Sequence, residues 1–252
     1  MKKKLFVNYF YRKAAENGYP SRIEQLEDYS QLIEFMHLTC NDILLDVGCG
    51  AGTLIELTLK KCWSVGLDIM HHGSTHCIVG EGEALPFCNQ SFSIVCFSKS
   101  FALMEMDRAL MEAHRVTIPE GRLIVRELVG SSPYDDCLSW ICDQLLKEDM
   151  LTIIEHPYIS EITSHTIEEF ISPWWHLSES MKVTTKIIYP SEYEFIDRLL
   201  FYSALSTLTF DAPQNQVELL RHIITEGVRM FYKESFSVET TYFIIEALKC
   251  TP

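Results

Sequence analysis

Residues 43–54 of this 252-residue chain read I-L-L-D-V-G-C-G-A-G-T-L. A short apolar run that ends in glycines is typical of a strand buried on both faces of a parallel sheet. Three glycines at every second position allow a sharp turn and a close approach of the backbone to a ligand, and a helix is predicted to begin near Thr53. The stretch therefore predicts a nucleotide-type cofactor site.

A second strand is predicted at Ser64 to Leu67, and it ends at Asp68. A carboxylate at the carboxyl edge of the sheet can accept hydrogen bonds from ribose hydroxyls. The spacing fits a strand, helix, strand unit. Dinucleotide sites share these parts, but Thr53 stands where the pattern G-x-G-x-x-G requires its last glycine.

Four further segments follow the loop in a fixed order. The loop, with Asp46 two residues before it, resembles motif I of class I methyltransferases. The later segments resemble the small-molecule branch typified by ubiquinone-biosynthesis methyltransferases (methyltransferase type 11): G-E-G-E-A-L-P-F at 80–87, S-F-S-I-V-C-F-S at 91–98, R-A-L-M-E-A-H-R-V at 108–116 and E-G-R-L-I-V at 120–125. The resemblance covers residues 40 to 130, roughly a third of the chain.

This resemblance implies an α/β fold with a Rossmann-like, seven-stranded, mostly parallel sheet. It implies S-adenosylmethionine as cofactor, with Asp46 at the amino group, Asp68 at the ribose, and Ser98 beside the methionyl part. Ile69 is expected to stack on the adenine, which Glu81 and the Gly82 amide read. The implied cofactor-binding set is Asp46, Gly48, Cys49, Gly50, Gly52, Asp68, Ile69, Glu81, Gly82 and Ser98.

Some positions depart from the family pattern. Glu81 and Ser93 stand where aspartates are usual, and the turn before the fifth strand lacks one of its glycines. Asp68 is followed by a polar loop, so the helix expected after the second strand is shortened or missing. In that loop, His71, His72, His76 and Cys77 are metal-ligand types, but their spacing matches no strong zinc signature. We therefore predict a polar loop and no metal.

Charge and composition narrow the function classes. The chain has 21 basic and 35 acidic residues and a formal charge of -14, which repels phosphate backbones and argues against a nucleic acid partner. Nine cysteines form no C-x-x-C pair, which favours reduced thiols and a cytoplasmic protein. The apolar run after Lys2 to Lys4 is too short for a signal peptide, and no membrane insertion is expected. Either a monomer or a homodimer fits.

The chain is predicted to be one methyltransferase domain with four parts. Residues 1–39 form an N-terminal helical cap, 40–130 the cofactor-binding core, 131–180 a helical insertion that acts as a lid, and 181–252 the C-terminal strands with a helical excursion. In the last part, alternation predicts strands at Lys182 to Tyr189 and Thr240 to Leu248, and helices at 192–210 and 216–233.

Candidates for catalysis carry less specific signals. His156, His165 and His176 fall in the predicted lid, where a histidine can take a proton near neutral pH. Tyr11 can lend an aromatic from the N-terminal segment, although packing on an amphipathic helix explains it equally. A dedicated base is optional, because the sulfonium methyl is already activated.

The sequence thus predicts S-adenosylmethionine-dependent methyl transfer to a nitrogen, oxygen, sulfur or carbon nucleophile of a small molecule by in-line displacement. A noncatalytic methyltransferase-fold binding or assembly protein is an alternative, because a fold does not fix its chemistry. A nicotinamide-dependent oxidoreductase is a further one. Thr53 and the lack of a convincing Tyr-x-x-x-Lys hydride-site pattern argue against it.

Overall fold

The computed structural model describes residues 23–70, 74–128, 133–148, 150, 164–171, 173–202, 213–233 and 236–250. The helices in chain order are α1 (Ile23–Phe35), α2 (Thr53–Thr58), α3 (Met106–Val116), α4 (Pro133–Lys147), α5 (Ser164–Ile171), α6 (Glu192–Tyr202) and α7 (Gln214–Phe231). The strands are β1 (Ile43–Val47), β2 (Trp63–Asp68), β3 (Cys77–Val79), β4 (Phe92–Ser98), β5 (Thr117–Leu128), β6 (Trp175–Ile188) and β7 (Ser237–Lys249).

These strands form one seven-stranded sheet in the order β3-β2-β1-β4-β5-β7-β6. The strands from β3 to β5 pair in parallel, and β7 pairs antiparallel to β5. Because parallel strands point the same way, the residues that end β1, β2, β4 and β5 lie along one edge of the sheet. The predicted Rossmann-like, mostly parallel sheet is confirmed.

The chain divides into two compact units. The larger consists of residues 21–129, 160–183 and 241–252, and the smaller of residues 1–20, 130–159 and 184–240. Strands β6 and β7 each contribute residues to both.

The core of the larger unit lies on both faces of the sheet. One face packs against α3, whose Ala109, Leu110, Ala113 and Val116 are buried at helical spacing. The other face packs against α1 and α2, and its buried side chains include Leu32, Met36, Leu44, Leu54, Cys96 and Ile124. Burial on both faces explains why β1 and β4 are almost continuously apolar in sequence.

The smaller unit has its own apolar core. Helices α4, α6 and α7 supply most of it, including Ile141, Leu145, Phe195, Leu199, Leu220 and Ile224. Phe195 lies between the rings of Tyr189 and Tyr232, with centroid distances of 5.1 and 4.7 Å. The helical excursion predicted in the C-terminal part is therefore present as α6 and α7, and the use of this unit as a lid stays a prediction.

The start of β6 differs from the sequence prediction. Strand β6 begins at Trp175, so the expectation of helix through residue 180 is wrong at its end. This strand lies at the edge of the sheet, and residues 176–180 are exposed, so the pattern of apolar and polar residues there lacks the alternation that marks a half-buried strand. None of the described residues between β2 and β3 is helical, as expected from the shortened segment.

No helix in the described ranges is both long enough and apolar enough to cross a lipid bilayer.

Candidate functional site

The glycine loop after β1 is held in a conformation that favours glycine. Gly48, Gly50 and Gly52 have φ angles of 78°, 52° and 80°. A Cβ atom on Gly48 would collide with the Ser100 side chain, whereas one on Gly50 would meet no atom within 4 Å. The backbone at Gly50 therefore faces open space, which leaves room for a ligand to approach it.

Asp68 fixes this loop to the end of β2. Its Oδ2 accepts a hydrogen bond from the Gly50 N–H at 2.9 Å, and its Oδ1 accepts one from the Met70 N–H at 3.1 Å. The Gly48 N–H also donates to the Leu67 carbonyl at 2.7 Å. Each carboxylate oxygen can accept more than one hydrogen bond, so Asp68 retains the capacity to bind ribose hydroxyls. That role stays a prediction.

Asp46 is buried beside the loop without full hydrogen bonding. Its side chain is 2 % exposed, and its Oδ1 has no hydrogen-bond partner among the residues that the structure describes. The pKa of this carboxyl is raised to about 8, mainly by burial and also by Cys77 and Asp68, while the charge of Arg126 opposes the rise. Buried polar atoms are nearly always satisfied, so this oxygen indicates a place for a hydrogen-bond donor of a ligand.

The loop after β4 faces the glycine loop. Ser98 ends β4 with its hydroxyl buried, and that oxygen also has no partner in the described part of the chain. Ser100 Oγ donates to the Val47 carbonyl at 2.5 Å. Lys99 has a φ of 60°, a left-handed conformation that is strained for a residue with a Cβ. Strain of this kind recurs at functional sites.

Glu127, near the end of β5, binds the loop after β4. Its Oε1 accepts a hydrogen bond from the Ala102 N–H at 3.2 Å. Burial raises the pKa of Glu127 to about 7, while the amides of Ala102 and Phe101 and the charges of Arg126 and Lys99 oppose the rise. Glu127 thus positions the short helical turn at Phe101–Leu103.

The segment predicted to read adenine lies close to the loop. Ile69 is half-buried and Glu81 is exposed. A Cβ on Gly82 would lie 2.5 Å from the Met104 sulfur, so this position also requires glycine. The adenine contacts themselves stay a prediction.

Helix α3 binds Leu85 and Phe87, which follow the predicted adenine-binding residues, through two residues that the sequence analysis missed. Arg115 donates to the carbonyls of Leu85 and Phe87 at 2.9 and 2.7 Å. Glu112 accepts from the Leu85 N–H at 2.7 Å and pairs with Arg115 at 2.7 Å. The sequence signal was an acid and a base three residues apart on one helix face, which is also common on solvated helices.

Arg126 is the other residue that the sequence analysis missed. It lies on β5 and is 1 % exposed, with its guanidinium 4.6 Å from the ring centroid of Tyr29 and 4.8 Å from that of Tyr242. The available signal was a charged pair, Arg126 and Glu127, at the end of an apolar strand. Charged residues there usually mark a strand that has reached solvent, and both of these are buried.

The structure describes the candidate catalytic residues only in part. Tyr11 and His156 lie outside the described residues, and of His165 only the backbone, within α5, is described. His176 is exposed on β6, next to Trp175. The neighbouring Trp174 carbonyl accepts from the Cys250 N–H at 3.2 Å.

That contact lies just beyond the pair formed by Leu248 and Arg122, at the amino end of the parallel strands. His176 therefore lies at the edge of the sheet opposite the glycine loop, and the structure does not bring it to the site. The nearby tryptophans pack on His114, with ring centroids 5.6 Å apart in both cases, which agrees with a structural role for His114.

The polar loop after β2 is described only in part. Among the described residues, no group of three or more histidines, cysteines or acids is placed to hold a metal ion. His71 and His72 lie outside these residues, His76 is exposed, and Cys77 is buried. All nine cysteines are free thiols. Burial and contact with Cys77 raise the pKa of the Cys49 thiol, which therefore stays protonated.

Comparison with known proteins agrees with this geometry. Residues 45–125 match the family model described as a methyltransferase domain. A demethylmenaquinone methyltransferase from Corynebacterium efficiens is 30% identical over 158 residues, which cover 59% of this chain. The chain spans about 64% of the length of that curated relative.

Solved structures share the fold at low sequence identity. The BH2331 protein of Bacillus halodurans C-125 superposes with a TM-score of 0.59 at 16% identity, covering 89% of this chain and 100% of that one. A SAM-dependent methyltransferase from Aquifex aeolicus gives 0.53 at 13% identity, covering 95% and 98%. At these identities the likeness shows the fold alone.

Proposed function

We propose that this chain, whose residues 45–125 match a methyltransferase family model, transfers the methyl group of S-adenosylmethionine to a small molecule. The observation that carries the proposal is Asp46, a buried acid beside the glycine loop with an unsatisfied oxygen. An acid at this place suits a ligand that brings a positive charge.

This reasoning separates two kinds of cofactor. The amino-acid end of S-adenosylmethionine carries an ammonium group, which can donate to Asp46. A nicotinamide dinucleotide brings a pyrophosphate to the glycine loop and carries no ammonium group, so it leaves the buried Asp46 without a charged donor. The residues present therefore fit S-adenosylmethionine better than a dinucleotide.

Each part of the site has a role in this proposal. Gly50 leaves space at the loop for the ligand, Asp68 accepts from the ribose hydroxyls, and Ile69, Glu81 and Gly82 surround the adenine. S-adenosylmethionine supplies a methyl group already activated on a sulfonium. Glu127 positions the loop after β4. This loop follows Ser98, the residue expected beside the methionyl part, and it orients the acceptor.

The rate enhancement then comes mainly from orientation. Holding the acceptor in line with the bond that breaks can supply up to roughly 7–11 kcal/mol of the barrier. The acceptor atom is a nitrogen, oxygen, sulfur or carbon, and it gives up a proton to solvent or to a nearby base after the methyl bond forms. The transfer does not need a dedicated base, because the sulfonium methyl is already activated.

A small molecule is the expected acceptor for two reasons. The net charge of -14 disfavours nucleic acid. The Corynebacterium relative is named for demethylmenaquinone, which is a quinone and not a macromolecule. We further propose a cytoplasmic protein that works as a monomer or homodimer.

The test uses tritiated S-adenosylmethionine with the full chain and a cell extract split by size. Label in a small molecule that is separated from S-adenosylmethionine itself, lost in Asp68→Ala and kept in the exposed helix variant Asp107→Ala, supports the proposal. Label only in macromolecules contradicts the small-molecule acceptor. Cofactor binding without transfer to any fraction would instead identify a noncatalytic binding protein.

A further inference from the structure

Three polar side chains lie in a row on one face of the sheet. Asp46 on β1 pairs in register with Cys96 on β4, and Ser98 on β4 pairs with Arg126 on β5. Residues two apart on a strand, such as Cys96 and Ser98, point to the same face, as do residues paired across strands. Asp46, Ser98 and Arg126 therefore share the face that α1 covers, near the carboxyl ends of three adjacent strands.

Two members of this row are buried with unsatisfied atoms. Asp46 is 2 % exposed and Ser98 is 8 % exposed, and neither Asp46 Oδ1 nor Ser98 Oγ has a hydrogen-bond partner among the described residues. An unsatisfied buried polar group destabilises the folded chain. Two such groups on one row, next to the glycine loop, point to a polar ligand that satisfies both.

Arg126 supplies the opposite charge to Asp46. Its guanidinium carbon lies 4.6 Å from the ring centroid of Tyr29 on α1 and 4.8 Å from that of Tyr242 on β7. A guanidinium presents its N–H donors in a planar fork that suits a carboxylate. The charge of Arg126 also lowers the pKa of Asp46 against the effect of burial.

An amino-acid zwitterion matches this row. It presents one ammonium and one carboxylate on a single carbon, and both groups must be compensated when they leave water. We propose that Asp46, Ser98 and Arg126 form the subsite for the zwitterionic end of S-adenosylmethionine, in which Arg126 binds the carboxylate, Asp46 accepts from the ammonium, and Ser98 hydrogen bonds between them. This inference rests on the proposed function, and its new element is the carboxylate role of Arg126.

A purely structural role for Arg126 makes a different prediction. If Arg126 only tied Tyr29 and Tyr242 to the sheet, its removal would weaken every ligand of the site equally by disturbing α1. If Arg126 binds the carboxylate, its removal weakens ligands that carry a carboxylate much more than ligands that lack one. A ligand pair that differs by this group separates the two roles.

The experiment is calorimetric titration of the full chain with S-adenosylmethionine and with decarboxylated S-adenosylmethionine, which keeps the ammonium. We expect the wild-type chain to bind the carboxylated ligand roughly 10- to 100-fold more tightly, the range of a charge-assisted hydrogen bond. Arg126→Met should lose most of this preference, because its affinity for the decarboxylated ligand should fall much less than its affinity for S-adenosylmethionine.

The matched control is Arg122→Met. Arg122 lies four residues earlier on the same strand, pairs with Glu246 at 2.7 Å, and is far from the carboxyl edge. It should keep the full preference. Lys99 is another cation close to Tyr242, with its Nζ 5.8 Å from the ring centroid, and Lys99→Met should also keep the preference.

Several outcomes would overturn the inference. They are equal affinity of the wild-type chain for the two ligands, an equal loss of both in Arg126→Met, or loss of the preference in Lys99→Met instead. The first result needs no variant, so it decides the matter even if Arg126→Met does not fold. Failure of the proposed function looks different, because the wild-type chain would then bind neither ligand.

Discussion

Cofactor binding should release a proton from Asp46. The pKa of this buried carboxyl is about 8, so at pH 7 about nine-tenths of the chains carry it protonated. An ammonium group needs the ionised form as its acceptor. Binding at pH 7 should therefore release close to one proton per site, and lowering the pH should weaken binding.

The size of the effect follows from two titrating groups. The α-ammonium group of an amino acid lies beside its own carboxylate and stays protonated through pH 8, and the complex holds a single proton between this group and Asp46. Below pH 8 only Asp46 titrates, so affinity should fall about 50-fold between pH 8 and pH 6, where Asp46 is almost fully protonated. Well above pH 8 the affinity should level off once Asp46 is ionised, and it should fall again when the ligand loses its own proton.

The assay is calorimetry with S-adenosylhomocysteine at pH 7 in phosphate and in Tris, whose ionisation enthalpies differ. The buffer-dependent part of the heat gives the number of protons released. Asp46→Asn should abolish the release. Glu127→Gln should preserve most of it, although the pKa of Glu127 is raised to about 7, because Glu127 is held by the Ala102 amide. A wild-type chain that releases no proton, or an Asp46→Asn chain that still does, would refute this reasoning.

Three further predictions concern stability and the loop. Gly48→Ala should destabilise the chain by at least about 2 kcal/mol in urea unfolding, because it adds a clash with Ser100 to left-handed strain. Gly50→Ala should cost only about 1 kcal/mol of stability, from strain alone, but should weaken cofactor binding. Glu112→Gln should lower the free energy of unfolding by about 1–2 kcal/mol. Because the pKa of Glu112 is lowered in the folded chain, its contribution to the free energy of unfolding is complete above its ordinary pKa of 4.5 and disappears as the pH falls through the lowered value. In urea unfolding from pH 7 to 3, the stabilities of the variant and the wild type should therefore converge. Phe195→Ala should cost about 3–5 kcal/mol by opening a cavity in the core of the smaller unit, measured by the shift of the unfolding transition assigned to that unit.

The glycine loop and the parallel strands could be predicted because their signals are local. Left-handed turns need glycine, and strands buried on both faces are continuously apolar, so residues 43–54 carry both constraints in their composition. Strand β6 was placed seven residues too late because an edge strand can be polar on both faces. Its start is decided by pairing with β7, which lies more than 50 residues away in the chain.

The missed parts of the site depend on tertiary structure. Arg126 looks like the exposed end of a strand until Tyr29, almost a hundred residues earlier, stacks on it. His176 looked suitable because its residue type and neighbours suggested a lid, and only the strand order shows that it lies at the opposite edge. Sequence spacing thus locates the residues that shape the backbone, and contacts between distant segments locate those that supply charge.

The most direct measurement is calorimetric titration of the purified full chain with S-adenosylhomocysteine, NADH and NADPH, repeated with Asp68→Ala. We predict micromolar binding of S-adenosylhomocysteine alone, and much weaker binding in a folded Asp68→Ala chain. Binding of a nicotinamide cofactor, or no binding of S-adenosylhomocysteine by the wild-type chain, would contradict the account.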